Sequence, residues 1–416
     1  MSTGGVLFLN PNRAGGQTAP VTSWISVASW AAAARRLWGQ SWIVTPEGIL
    51  EPEDVMRRAS DPVALKGPPG PASLRRKVPT TVKTGLKDAR KALEARRFRG
   101  AGLQGPWRSE EVRFIWQRHD LFHDAGVSAA KALKRPLVVF TPALIVQEAA
   151  GWGVKRPGWQ GLLERIAEAP LLKAADVVAC GSVEIAEQVS RLGVPEARLL
   201  VTPNGVDPEM FSPERQGDEV RRQLGLESRF VIGWVGSFRK FHGLDMALEA
   251  MKKIASEIPE ATLLLVGDGL ERSHIEETVR ALGLENVVMT GTVGYLDIPE
   301  HVAAMDVAVI TDRGAGSFHY SPLKLREYMA AGKAVIAPRV GEMARWLADG
   351  EDAVLVESGD TGGLAAAIVD LHERPELRAR LGKAARRKIL EQATWDIQLL
   401  RIDAALHGAS SARAPG

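Results

Sequence analysis

A single cysteine, Cys180, stands in 416 residues. One thiol cannot pair within its own chain, so disulfide frameworks and cysteine-based metal sites are excluded. Its setting in the apolar run Val177–Cys180 predicts a buried, unreactive group. Long apolar runs are missing as well, since no uninterrupted stretch reaches the ~20 residues of a membrane-spanning helix. The first residues lead straight into Val6-Leu7-Phe8-Leu9 with no basic-then-apolar leader, and the expectation is a cytoplasmic protein. No Asp-x-Asp follows a strand-like run, so no carboxylate pair offers itself to a divalent ion. A large excess of one charge is lacking too: 53 Lys and Arg against 50 Asp and Glu leave a net +3, which excludes a globally basic nucleic-acid binder.

What is present is a globular composition, 45% hydrophobic and 25% charged, in a chain too long for one core and suited to two domains. The charge is uneven: residues 66–108 hold 12 Lys or Arg against 2 Asp or Glu. This basic insertion starts with Gly67-Pro68-Pro69-Gly70-Pro71, which can be neither helix nor central strand. Beyond it Val78, Val82, Leu86, Ala89 and Leu93 recur every three or four residues, with Lys83, Lys87, Arg90, Lys91 and Arg97 on the other side. The pattern predicts a basic amphipathic helix whose apolar stripe packs on its own domain, with docking to an anionic acceptor or an acidic membrane surface as the alternative.

Short β-branched runs alternate with helical patterns, the mark of α/β domains with parallel sheets. In the first half, strands are expected at Val6–Leu9, Ser41–Val44, Val112–Trp116, Leu137–Thr141, Val177–Cys180 and Leu199–Val201. A helix carries Trp24, Val27, Ala28, Ala31, Ala34 and Trp38 on one core-facing side. A second alternation follows Pro213, with strands at Phe230–Val235, Thr262–Val266, Val287–Thr290, Val307–Thr311, Ala334–Ala337 and Ala353–Val356. Pro203-Asn204-Gly205-Val206-Asp207-Pro208 reads as the linker between them. Two doubly wound domains facing across a cleft would hold two ligands beyond the carboxyl ends of their strands. Residues 409–416 are expected to form a disordered tail.

The run Ser321 to Lys333 carries the clearest chemistry. Pro322 suits the first turn of a helix, and the N–H groups of Leu323 and Lys324 would then face a phosphate or pyrophosphate, with the Lys324 charge added. Glu327, one turn on, can accept hydrogen bonds from two ribose hydroxyls. In the first half, Arg118, His119 and Asp120 follow a strand, where His119 can orient or deprotonate an acceptor; Gln147 and Glu148 are comparable acceptor-side candidates.

Taken together, these segments make the chain resemble the GT-B-fold retaining glycosyltransferases of glycosyltransferase family 4. The resemblance rests on Pro203-Asn204-Gly205-Val206-Asp207 with Phe211 and Pro213, on Val235-Gly236-Ser237 to Phe241-His242-Gly243, and on Leu265-Val266-Gly267-Asp268-Gly269. Thr290-Gly291-Thr292-Val293, the Pro322–Ala330 run, Asp349-Gly350 to Asp360, and Glu164-Arg165 before Ala175-Asp176-Val177 continue it. It implies a GT-B fold of two Rossmann-like domains, 1–205 for the acceptor and 206–385 for a nucleotide sugar, with 386–408, including Trp395, packing back on the first. It also implies donor contacts at Gly15 and Gly16, Gly236, Gly267, Asp268 and Gly269, Thr292 and Val293, and along His319, Tyr320, Ser321, Pro322, Leu323 and Glu327.

Departures from the family pattern touch the mechanism. Of two glutamates with seven residues between them in many members, the second is Glu327, but the first position is His319. Ser237 and His242 stand where many members place an Arg and a Lys on the diphosphate, and Arg239 and Lys240 between them can supply that charge instead. The expected activity is metal-independent transfer, with retention, from a nucleoside diphosphate sugar, UDP favoured, to a hydroxyl or amine. Arg239, Lys240, Lys324 and His119 are the expected catalytic groups, and no cofactor is implied. A UDP-sugar 2-epimerase on the same fold, or a non-catalytic sugar-nucleotide-binding protein, is the alternative. Peripheral contact with the inner membrane face would run through the basic insertion, and no nucleic-acid partner is expected.

Overall fold

The computed structural model of the chain describes residues 4–12, 21–61, 80–151, 153–314 and 323–412. It divides into two compact units, one of Met1–Asn204 with Trp395–Gly416 and one of Gly205–Thr394.

The first unit holds β1 (Gly5–Leu9), β2 (Ser41–Thr45), β3 (Gly48–Leu50), β4 (Val112–Arg118), β5 (Leu137–Thr141), β6 (Val177–Cys180) and β7 (Leu199–Val201). Their order is β3-β2-β1-β4-β5-β6-β7, parallel except for the β2–β3 hairpin. Every residue of β1, β5 and β6 is buried, as expected of strands covered on both faces. β3 was not expected; the hairpin that sets it beside β2 closes at Thr45 and Gly48, where Gly48 takes φ +125°. β4 runs on to Arg118, past the expected end at Trp116. Cys180 is buried and its thiol is pushed up to about 12 by burial, so it stays protonated and inert.

The helix Val21–Trp38 buries Trp24, Val27, Ala28, Ala31 and Ala34 as expected, and also Trp30. Trp30 joins Trp116, Phe140 and Trp395 at centroid distances of 6.1, 5.6 and 5.1 Å. That aromatic cluster, with the Arg36–Asp396 and Arg113–Asp403 ion pairs at 2.6 Å, holds the last helix, Trp395–Ala412, in the first unit. Two expected boundaries are corrected. A division at 385 falls inside the helix Pro375–Gln392, which buries Leu381, Ala385 and Ile389 in the second unit and ends only before Thr394. The expected tail is helical as far as Ala412.

The basic helix, Thr80–Phe98, is present but turned round. Its buried side chains are Thr84, Asp88, Ala95 and Phe98, whereas Val82, Leu86 and Leu93 are 50%, 65% and 59% exposed. Asp88 decides this orientation, because Arg156 grips its carboxylate with two hydrogen bonds of 2.9 and 3.0 Å and the Trp159 indole adds a third. Lys91 pairs with Asp120 on the same side. The expected inward stripe lies two residues, or about 200°, round the helix from these anchors. Val78 and the Gly67–Pro71 loop lie outside the described residues.

The second unit holds β8 (Phe230–Val235), β9 (Ala261–Val266), β10 (Val287–Gly291), β11 (Val307–Val309), β12 (Ala334–Pro338) and β13 (Val354–Val356). All are parallel in the order β10-β9-β8-β11-β12-β13, the 3-2-1-4-5-6 order of a Rossmann-like sheet. Alternate residues feed two cores: Val231, Val235, Leu264 and Val266 face one, Ile232, Trp234, Leu263 and Leu265 the other. The strand order reverses between β8 and β11, so the loops after these two strands mark the place where such sheets bind ligands.

Candidate functional site

In the second unit the loops after β8 and β9 are laced together. Gly236 N–H donates to Val266 O at 2.9 Å, Phe238 N–H to Asp268 O at 2.9 Å, and Glu271 N–H to Phe238 O at 3.2 Å. Gly267 sits at φ +135°, and a Cβ there would lie 2.0 Å from Gly236 O. At Gly269 a Cβ would meet the main chain of Phe238 at 2.5 Å. Both glycines are therefore demanded by the approach of two loops, a structural reason that stands whether or not a nucleotide also touches them. Asp268 caps Gly269 N–H at 2.8 Å and faces Arg272 at 3.5 Å.

The helix Leu323–Ala330 follows β11 and is tied to β8 by one bond. β11 pairs with β8 at Ile232 and Gly233, and farther along Val235 N–H donates to the Tyr328 hydroxyl at 2.6 Å. This sets Lys324 against β8, with its Nζ 3.6 Å from the centre of the Trp234 ring. A Cβ on Gly236 would come within 2.9 Å of that amine. The Lys324 Nζ is buried and has no hydrogen-bond partner among the described residues. Burial pulls its pKa down to about 7, with Glu327 acting against the shift. One turn on, Glu327 is 4% exposed and accepts the Tyr295 hydroxyl at 3.0 Å. Burial pushes its carboxyl up to about 7, against the pull of Tyr295 and Lys324. An ammonium held dry beside the start of a helix is the partner an anion would complete.

The other expected donor residues take different places. His242 stands edge-on to Trp234 at 5.2 Å, and burial, then Lys324 and Arg239, pull it down to about 2. It is neutral at pH 7 and supplies no charge in place of a lysine. Ser237, Arg239 and Lys240 are exposed in the loop before it, while Thr292 and Val293 are half-buried after β10. Gly15, Gly16, His319, Tyr320, Ser321 and Pro322 lie outside the described residues. Trp234 and Tyr295 were missed by sequence reasoning; Tyr295 is one of only 3 tyrosines, which was the one available signal.

In the first unit, polar side chains gather at the carboxyl ends of the strands. Arg118 ends β4 and His119 follows it; burial pulls Arg118 down to about 10, with Asp120 and Glu148 opposing. Burial pulls His119 down to about 4, against Asp120 and the Ala143 main chain. Burial works to raise Asp120, but Lys91 and His123 outweigh it and hold the carboxyl below its ordinary value. Glu148 is raised by burial, and Gln147 beside it is half-buried. The group missed here is Glu168. Its Oε1 lies 3.9 Å from His119 Nε2 and accepts Ile145 N–H at 2.6 Å, and burial raises its carboxyl to about 7. The π-helical turn Glu164–Glu168 turns Glu168 inward and leaves Arg165 exposed. Asn10 Nδ2, Thr141 Oγ1 and Thr202 Oγ1, after or at the ends of β1, β5 and β7, are buried without hydrogen-bond partners among the described residues. Groups of this kind fit a ligand with several hydroxyls. Among the described residues, no group of three or more His, Cys, Asp or Glu is arranged to hold a metal ion.

Comparison with known proteins adds to this geometry. Residues 61–205 match the family model described as a glycosyl transferase 4-like domain, and residues 229–374 match the one described as glycosyl transferases group 1. The N-acetyl-alpha-D-glucosaminyl L-malate synthase of Bacillus anthracis is 29% identical over 222 residues, 53% of this chain and 56% of that protein. A D-inositol 3-phosphate glycosyltransferase of Geodermatophilus obscurus is 32% identical over 236 residues, 53% and 50% of the two. The chain spans about half the length of these curated relatives. Among solved structures, HepE of Anabaena in complex with UDP aligns over 97% of this chain and 100% of that one, with a TM-score of 0.62 at 19% identity. A likeness of that kind shows the fold: two Rossmann-like units of the GT-B type.

Proposed function

We propose that this chain, whose two halves match glycosyltransferase family models, is a retaining glycosyltransferase. It takes a nucleoside diphosphate sugar, a UDP-sugar before a GDP-sugar, and moves the sugar to an acceptor hydroxyl or amine without a metal ion. The observation that carries the reading is the buried, unpartnered Lys324 amine at the start of the Leu323–Ala330 helix, at the switch point of the sheet. In transfer, the bond from the anomeric carbon to the diphosphate oxygen breaks and its electron pair leaves on the diphosphate. Charge grows there, beside the Lys324 ammonium and the positive end of the helix, which stabilise it without reorganising. Arg239 and Lys240, exposed in the β8 loop, add cations on the solvent side. Glu327, braced by Tyr295, accepts the ribose hydroxyls. The acceptor attacks the face the diphosphate is leaving, and its proton passes to a departing phosphate oxygen. His119, neutral and with a pKa of about 4, is too weak a base to take that proton and instead orients the acceptor.

The choice of uridine is supported by HepE, which is described in complex with UDP, and the transfer reaction by the names of the relatives above. A thermal-shift screen of nucleoside diphosphates and their sugars tests the donor, with UDP expected to stabilise the protein most. With the best donor and its acceptor, Lys324→Ala should lower turnover by about 100-fold or more. Unchanged turnover would remove Lys324 from the reaction and with it the basis of the proposal.

A further inference from the structure

The outward face of the helix Thr80–Phe98 has no role in donor or acceptor chemistry, yet it is built in an unusual way. A helix lying on a soluble domain turns its apolar stripe inward and its polar side out. Here Thr84 and Asp88 are buried, while Val82, Leu86 and Leu93, at intervals of four and seven residues, form a stripe facing water. The orientation is firm, since the Asp88–Arg156 pair, the Lys91–Asp120 pair and the buried Phe98 all hold the other side. Along one flank of the stripe, about 100° away, run Lys83, Lys87, Arg90 and Arg97, and Arg96 lies on the other flank. Arg90 pairs with Glu94, but Lys83 and Lys87 are exposed with no acidic partner among the described residues.

We infer that this face is a docking surface for an anionic lipid bilayer. Large aliphatic side chains between unpaired cations match the two layers such a surface presents, acyl chains beneath and phosphates above. A protein partner with a complementary groove would not need the cations to border the apolar stripe along its length. Among the described residues no helix is long and apolar enough to cross a membrane, so the helix lies in the interface plane with its leucines in the acyl boundary. The inference stands on the first unit alone and does not depend on the donor chemistry.

The test uses the full chain in co-sedimentation with phosphatidylcholine vesicles, with and without phosphatidylglycerol. Binding is expected only to the anionic vesicles and should weaken as salt is raised. The double variant Leu86→Ser, Leu93→Ser should bind at least about tenfold more weakly, because both side chains are more than half exposed in the free protein and lose their burial in lipid. Lys83→Glu with Lys87→Glu should weaken binding by a similar factor or more. The altered positions are exposed, so circular dichroism should show both variants folded. Failure of the wild type to bind anionic vesicles, equal binding to neutral ones, or undiminished binding of the leucine variant each overturns the inference. So does a dimer in sedimentation velocity that the leucine substitutions dissolve, which would assign the face to a second copy of the chain.

Discussion

Replacing Lys324 by methionine should make the protein more stable and at the same time a poorer binder of nucleoside diphosphates. Burial lowers the ammonium from its ordinary 10.5 to about 7. At about 1.4 kcal/mol per pKa unit, keeping this group in the folded state at neutral pH costs about 4 kcal/mol. The face of Trp234, 3.6 Å away, returns about 2 kcal/mol of that. Methionine keeps an apolar stem and a sulfur on the same indole, so the net gain on substitution is about 2 kcal/mol. For a domain of this size that is a rise in Tm of roughly 4–8 °C, read by calorimetry without ligand. The sign with pH follows from the depressed value: the cost is full below pH 7 and fades as pH rises toward 10.5, so the variant's advantage should fade with it. Calorimetric titration with UDP should show the opposite trend, a loss of about 1.5–3 kcal/mol for one charge-assisted bond, or roughly 10- to 150-fold in affinity. A Tm that falls, or UDP binding that is unaltered, would refute the assignment of this amine as a strained anion site.

Three further outcomes follow from the same geometry. Because the free Lys324 amine loses its proton around pH 7, UDP affinity should fall as pH rises above that point, by at most about tenfold per unit; a flat profile between about pH 6 and 9 would count against a lysine contact. Gly267→Ala places a Cβ 2.0 Å from Gly236 O and should cost about 3 kcal/mol or more in urea unfolding, and a shift under about 1 kcal/mol would mean the two loops yield easily. Arg156→Ala strands the buried Asp88 carboxylate and should destabilise the first unit by about 3–5 kcal/mol, with little loss if the pair were in fact solvated.

Much of the framework is legible along the chain because it depends on local periodicity. Leu137–Thr141, Val177–Cys180, Leu199–Val201 and Phe230–Val235 are runs of mostly apolar residues without a charge or a proline, and each strand occupies those residues. The Leu323–Ala330 helix and the positions of Lys324 and Glu327 within it were likewise readable, from Pro322 and the spacing that follows. His242 was not readable as a neutral group: it follows the cations Arg239 and Lys240 in sequence, and only its burial against Trp234 decides its charge. Glu168 escaped notice because a π-helical turn shifts which side of the segment faces in, and no spacing rule announces such a turn.

The sequence by itself determined the alternation of strands and helices, the two sheets, and the kinds of residue placed at the ends of their strands, since each follows from the chemistry of neighbours. The tertiary structure decided which of those residues are dry, which are paired, and which way the basic helix turns. A periodic pattern names two opposite faces of a helix but does not say which is inside. For Thr80–Phe98 the answer came from Arg156, 68 positions from Asp88 along the chain, and a contact at that separation leaves no trace in local spacing.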